Sequence, residues 1–312
     1  ALPIWAVLAF AAVAPAAAQV DAQRFNGLAA GPYRRLVIRN AMVIPGHGGP
    51  VAGPYDIVIE GNTITQMIPF DPVAAERRGA GERPTGDRVI DATGKYVMPG
   101  MIDLHTHIRT QPMELEYVYY LKLAHGVTTM VNAADRGVDS AMIQARASAA
   151  NTILAPRMFP LTSWGSGTTF PRAVLEDPAR ADDVARGMRA AGLRVISMDG
   201  WGFDEKLVAA VAKAAKANGM ITSFHIPPAT IAVVNAVKAG CAGITMIEHH
   251  YGYAESALDR TTQDFGREYE FGNENMRFRY AGKVWTETNR DRLLGAVVDS
   301  RSEEHTSELQ SR

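Results

Sequence analysis

From Tyr96 onward the chain repeats one pattern, a short β-rich run followed by an amphipathic helical stretch. The β-rich runs are Tyr96–Leu104, Val127–Asn132, Arg157–Thr162, Arg194–Asp199, Met220–His225 and Ala242–Glu248. Helical spacing of apolar residues fills the intervals, as in Ala181–Ala191 and Asp204–Asn218, the second stopped by Gly219. Strand–helix alternation implies parallel strands, because each helix carries the chain back before the next strand begins. The pattern predicts an α/β fold on a parallel sheet, open or closed into a barrel; read as a (β/α)8 barrel it is incomplete, with about six strands where closure needs eight.

The texture before this repeat is different. From Arg35 to Met98 short β-rich runs alternate with turns: LVIRNAMVI is one strand, and GPYDIVIEGNTITQMI reads as a hairpin across Glu60-Gly61-Asn62. Asp71 to Asp87, rich in Pro, Gly and charge, reads as an exposed loop. Residues 33–98 are therefore read as one β-rich unit and 99–300 as the strand–helix unit.

The chemistry concentrates at the end of the first strand of the repeat. In MPGMIDLHTH, His105 and His107 stand at i and i+2, so on a strand both imidazoles share one face, with Asp103 on that face too. Two histidines so placed can reach one ion, and the C-terminal end of a barrel strand is where such enzymes hold their chemistry. The single cysteine, Cys241, excludes an internal disulfide and a thiolate zinc cluster. A net charge of −1 gives no reason to expect nucleic acid or an anionic membrane as partner.

VIDATGKYVMPGMIDLHTHI resembles the segment around the first barrel strand of the amidohydrolase superfamily. LKLAHGVTTMVNAAD is similar to that family's second strand, and ITSFHI and ITMIEHH to its fifth and sixth. The similarity runs roughly from Leu36 to His250, closest to the imidazolonepropionase-like and peptidase-like branch; residues 33–98 resemble part of that family's small β-sandwich (composite) domain, which implies a partial barrel over 99–300. The resemblance implies a metal-dependent hydrolase, often with zinc, that cleaves an amide, cyclic amide or peptide-like C–N bond. It implies His105, His107, His225 and His249 as ligands to one or two divalent ions, with His249 preferred over His250. Taken alone, His225 reads first as a hydrogen-bonded core histidine.

This chain departs from the family pattern on strand four. Where many members carry a bridging lysine stands Val195, which has no donor atom. Asp199, on the same face by parity, either supplies a carboxylate nearer the mouth or caps the turn that follows. The family's catalytic aspartate lies on strand eight, and no residue here is assigned to that role. Trp164, Trp201 and Tyr251 follow strands three, four and six and are candidates for substrate contact, with loop packing as the alternative for the tryptophans. His125 reads as structural and His47 as exposed. Two other classes stay open: a single-ion deaminase of the same superfamily, and a barrel that binds without catalysis.

Two terminal segments are read apart from the fold. Residues 1–18, apolar and ending Ala16-Ala17-Ala18, suit a cleaved secretory signal, which implies a periplasmic or secreted protein without stable membrane association after cleavage. Residues 301–312 read as a translated sequencing adapter, so the natural chain is expected to differ from there on. The expected partner is a small-molecule or short-peptide substrate, and self-association is allowed. Between Glu248 and a helical pattern near Asn289, an aromatic- and arginine-rich connection from Tyr251 to Trp285 is expected to act as a lid or a packing surface.

Overall fold

The computed structural model describes residues 31–295 apart from 80, 109–114, 135–136, 200–202, 227–233, 250, 258–269, 271–272, 289 and 293–294. The signal-like and adapter-like segments, together with Trp201 and His250, therefore lie outside the described residues. The described residues divide into two compact units, one running to Ile102 and taking in Glu116–Thr129 and Arg146–Arg157, the other taking in stretches that begin at Asp103, Met130 and Met158.

Five N-terminal strands, β1 (Arg35–Val43), β2 (Ala52–Glu60), β3 (Thr63–Pro69), β4 (Arg88–Asp91) and β5 (Tyr96–Val97), form one sheet. Its order is β3-β2-β1-β4, with β5 also paired to β1. The expected hairpin is present: β2 and β3 run antiparallel, with Glu60 opposite Thr63 across Gly61-Asn62. Gly61 adopts φ 60, the left-handed conformation that a tight two-residue connection requires. β1 instead pairs β4 and β5 in parallel, so the sheet is mixed. Its core gathers Ala41, Ile57 and Ala92 with Ile38, Val43, Tyr55, Ile59 and Val97.

The segment Asp71–Asp87 is more structured than the exposed loop expected from its composition. Asp71 caps the helix α1 (Pro72–Arg78), accepting from the Val73 and Ala74 amides at 2.9 Å, and Pro72 opens the helix. Further on, Arg83 reaches the buried carboxylate of Asp56, donating from Nε at 2.8 Å and pairing through its second nitrogen as well. The same guanidinium donates to Asn40 Oδ1 at 2.8 Å and lies 3.9 Å over the Phe70 ring. A charged fork of this kind leaves neither buried charge unmatched and pins the segment to the sheet.

The second sheet is the predicted alternation. Strands β6 (Met101–His107), β7 (Val127–Ala133), β8 (Arg157–Ser163), β9 (Val195–Met198), β10 (Ile221–Phe224) and β11 (Met246–Ile247) lie in sequential order. β8 to β11 pair in parallel, with Leu161 opposite Val195, Ser197 opposite Ser223 and Ser223 opposite Met246. The connecting helices are α2 (Leu115–Ala124), α3 (Val138–Ala149), α4 (Arg172–Leu175), α5 (Ala181–Ala190), α6 (Glu205–Ala217) and α7 (Ala236–Cys241).

Period-2 alternation assigns each strand's two faces. Ile196, Met198 and Phe224 point to the helices, where they bury against Val184 and Met188 of α5 and Leu207, Val208 and Val211 of α6. On the other face Val131, Leu161 and Val195 form an apolar layer, joined by Ala133 and Met246. One step toward the strands' C-terminal ends, buried Ser197 and Ser223 replace the apolar side chains. This change from apolar to polar along the inner face marks where the floor ends and the site begins.

The connection after β11 differs from the expected long loop. It contains α8 (Tyr253–Ser256) and α9 (Glu274–Glu287), the latter capped by Asn273, whose side chain accepts from the Met276 amide at 3.3 Å. Ala281 and Val284 of α9 are buried while Phe278 and Trp285 are exposed, so this helix packs through one face. Its aromatic and charged residues obscured that face in the sequence. Residues 258–269, the middle of the expected lid, lie outside the described residues.

The helix layer supplies the first test. Met188 is fully buried between α5 and α6, so Met188→Ala should cost about 2–5 kcal/mol. Asp204, which caps α6 by accepting from the Leu207 amide at 2.8 Å, should cost about 1 kcal/mol when replaced by Ala. Urea unfolding followed by circular dichroism checks the ranking; an equal or reversed pair of costs contradicts the packing described.

Candidate metal centre

The site lies within the second unit, at the C-terminal ends of β6, β10 and β11. Asp103, His105 and His107 occupy alternate positions of β6, and Asp103 Oδ1 accepts from the His105 amide at 3.2 Å. His225 follows β10 directly, its amide bonded to Met198 O at 3.2 Å, which continues the parallel ladder and keeps the imidazole on the inner face.

His249 reaches the site by a different route. Met246 and Glu248 share the inner face of β11, so strict alternation would send the next side chain outward. The backbone of His249 instead adopts φ 58, an uncommon conformation for a residue with a Cβ, and this ends the strand and swings the imidazole toward the others. The turn beyond it is fixed by Gly252, at φ 87, whose carbonyl accepts from the Ala236 amide at 3.1 Å. A Cβ at this position would sit 2.7 Å from Ile226 Cδ1 and 2.9 Å from the Ala236 nitrogen, so only glycine fits.

The imidazoles converge. One ring nitrogen from each of His105, His225 and His249 lies within 4.8 Å of the other two. Ring centroids are 4.8 Å apart for His105–His225, 5.0 Å for His225–His249 and 5.2 Å for His105–His249, all edge to face. His107 adjoins this trio through its Nε2, 3.1 Å from that of His105. Tyr251 stands edge-on to His249 at 6.4 Å and packs against the helix-side core.

The electrostatics favour a neutral imidazole at His225. Burial, reinforced by the neighbouring His105 and His249, lowers the His225 pKa from 6.5 to about 4, against a smaller upward pull from Glu248 and Asp199. His225 Nδ1 is buried with no hydrogen-bond partner among the described residues, an arrangement that needs a ligand or ion to be satisfied. Neutral imidazoles from several strands are the donor set that divalent transition metals take, so the residues fit such an ion. Burial raises the Glu248 pKa, but hydrogen bonds from His105 and Ser223 and nearby imidazole charge outweigh it, and the net direction is downward.

Of the other candidates, Asp199 is exposed on the wall of a cavity of about 240 Å³ that also touches His105, His107 and His225. Thr162, Ser163, Ser166 and Ser197 line the same cavity. Trp164 faces elsewhere: its indole packs on the helix-side core and Nε1 donates to Leu175 O at 2.9 Å. That hydrogen bond follows from its place one residue past the inward-facing Ser163. His125 bonds through Nδ1 to Leu121 O at 2.8 Å, a structural role, and His47 is exposed in its turn. Glu248 escaped the sequence reading, although it stands beside a chosen ligand and its parity pointed inward.

Comparison with known proteins agrees with this geometry. The amidohydrolase family model matches residues 88–146, a segment that contains His105 and His107. An adenine deaminase of Mesorhizobium japonicum is 30% identical over 95 residues, 30% of this chain and 14% of that protein. A dihydroorotase of a Thermoanaerobacter species is 36% identical over 80 residues, 26% of this chain and 16% of that protein. Among solved structures, a bottromycin amidohydrolase superposes with a TM-score of 0.51 at 20% identity, covering 74% of this chain and 46% of that one. A Xaa-Pro dipeptidase gives 0.50 at 20% identity, covering 69% and 61%. The fold is that of the amidohydrolase barrels. The family match covers the segment around His105 and His107, and the sequence matches are to amidohydrolase-type proteins. The chain spans less than two thirds of the length of each of these relatives.

The depressed basicity of His225 makes a direct prediction for the metal-free protein. Its imidazole should titrate near 4 rather than 6.5 by proton–nitrogen correlation NMR. Because the folded value lies below the unfolded one, protonation favours the unfolded chain. The stability tied to neutral His225 is full above about 6.5, falls as the pH drops towards 4, and changes no further below that. A midpoint at 6.5 would contradict the burial and the imidazole crowding described.

Proposed function

We propose that this chain carries the metal-binding portion of an exported hydrolase that cleaves C–N bonds in a small-molecule or short-peptide substrate. The observation that carries the reading is the convergence of His105, His225 and His249 from three strands within 4.8 Å, with His107 beside them. Zinc suits these donors, as neutral imidazole is among its commonest ligands. A divalent ion bound there supplies Lewis acidity towards a carbonyl oxygen and makes water a nucleophile at neutral pH.

The residues of this chain contribute the rest. His225, held neutral by burial, keeps its lone pair for coordination across the working pH range. Asp199 adds a carboxylate on the cavity wall, available as a further donor. The hydroxyls of Ser163 and Ser166 offer donors and acceptors to a substrate's amide group. A cavity of about 240 Å³ lies below the ~300–1,000 Å³ of sites for drug-sized ligands, which suits a compact substrate.

A second reading is a deaminase using one ion. It is favoured by Val195, which is buried in the apolar layer with Val131 and Leu161 and offers no bridging donor. The adenine deaminase among the relatives is consistent with it.

The test uses the protein that carries this chain, loaded with zinc. Elemental analysis should find about one or two ions per chain, and His105→Ala or His225→Ala should lose most of that metal. N-acyl amino acids, cyclic amides and dipeptides are then assayed beside adenine-like amidines. Hydrolysis of the first group supports the amide reading, and ammonia release from the second supports the deaminase. Unchanged metal in both variants sinks the site, and metal retained without turnover of either group favours a binding protein.

A further inference from the structure

We propose that Glu248 is a positioning residue that locks the imidazole of His105 in the orientation and tautomer needed for coordination, with Ser223 holding the carboxylate in turn. The inference rests on the metal-binding reading of the His105 cluster.

Glu248 lies on the inner face one residue past β11, its amide donating to Phe224 O at 3.0 Å. Its side chain is only 8% exposed. One carboxylate oxygen, Oε2, is 3.2 Å from His105 Nδ1, a close approach that a small rotation of the ring would align as a hydrogen bond. The other, Oε1, accepts from the hydroxyl of Ser223, a residue with no exposed surface. The carboxylate therefore spans from β10 and β11 to β6, bringing the first and sixth strands of the sheet together at its mouth.

The consequence for His105 is chemical. A neutral imidazole carries one N–H and one lone pair. A carboxylate only accepts, so the proton belongs on Nδ1, facing Glu248. The lone pair is left on Nε2, the atom that meets His107 Nε2 at 3.1 Å. The two residues that follow β11 thus divide the work. Glu248 takes the inward position that alternation provides and orients a ligand from another strand. His249 is brought in by its left-handed backbone and contributes a nitrogen of its own.

A carboxylate on the far nitrogen of a metal-binding histidine fixes the ring and raises its basicity, and removing such a partner typically costs 10–100-fold in affinity. Glu248→Ala should therefore weaken zinc binding by about 10–100-fold, measured by competition with a chromogenic chelator, while saturating stoichiometry is unchanged. Glu248→Gln keeps an acceptor and should fall between wild type and Glu248→Ala. Ser223→Ala should weaken binding less than Glu248→Ala.

A second readout needs no metal. Long-range proton–nitrogen NMR of the metal-free protein should show His105 as the Nδ1–H tautomer in wild type and as a tautomer mixture in Glu248→Ala. If wild type binds no zinc but this tautomer shift occurs, the metal reading fails and the positioning role stands. An Nδ1–H tautomer that persists in Glu248→Ala overturns the proposal. So does a drop in saturating stoichiometry, which would make Glu248 a ligand itself. Should Glu248→Ala fail to fold, the same two measurements on Glu248→Gln and Ser223→Ala decide: unchanged affinity and tautomer in both overturn the proposal.

Discussion

Everything at the site depends on parallel strands keeping alternate side chains on one face to their C-terminal ends. The ladder that sets Val195 opposite Ile221 also sets Ser197 opposite Ser223, and one step further it delivers His225 to the mouth. The same alternation puts Asp103, His105 and His107 in one row on β6. Parallel pairing is possible only because α5 and α6 cover the outer face, burying Met188, Val208 and Val211 against Ile196, Met198 and Phe224. Apolar burial on one side of the sheet thus specifies the register that assembles polar chemistry on the other.

The inner face is graded. Val131, Leu161 and Val195 make a dry floor, serines follow, and imidazoles stand at the top. Placing the imidazoles above an apolar layer keeps His225 partly out of water and so neutral. A carboxylate in the same surroundings needs partners, and Glu248 accepts from the Ser223 hydroxyl and lies 3.2 Å from His105 Nδ1. Val195, the strand-four valine, belongs to this floor.

The legible parts of this structure were those governed by periodicity. Six strand–helix repeats, the β2–β3 hairpin and the shared face of His105 and His107 all follow from spacing alone. What escaped depends on exceptions to spacing or on contacts distant in the chain. Alternation would point His249 outward, and only its φ of 58 brings it in; no local pattern announces such a conformation for a histidine. Glu248 follows alternation, yet its role needs His105, far away in sequence, to be visible. α1 and the Arg83–Asp56 pair were hidden by a loop-like composition, because the cap at Asp71 and the distant buried carboxylate outweigh propensity there. Trp164 looked like a mouth residue, but one position past an inward serine it turns to the helices.

The central claim is that His105, His225 and His249 hold one divalent ion between them. Anomalous diffraction at the zinc edge, from crystals of the protein grown with zinc, tests it most directly. The account predicts a peak bonded to one nitrogen of each of these three imidazoles, at about 2.0–2.1 Å. Zinc found only elsewhere, or three imidazoles still turned towards one another with no ion between them, would contradict it.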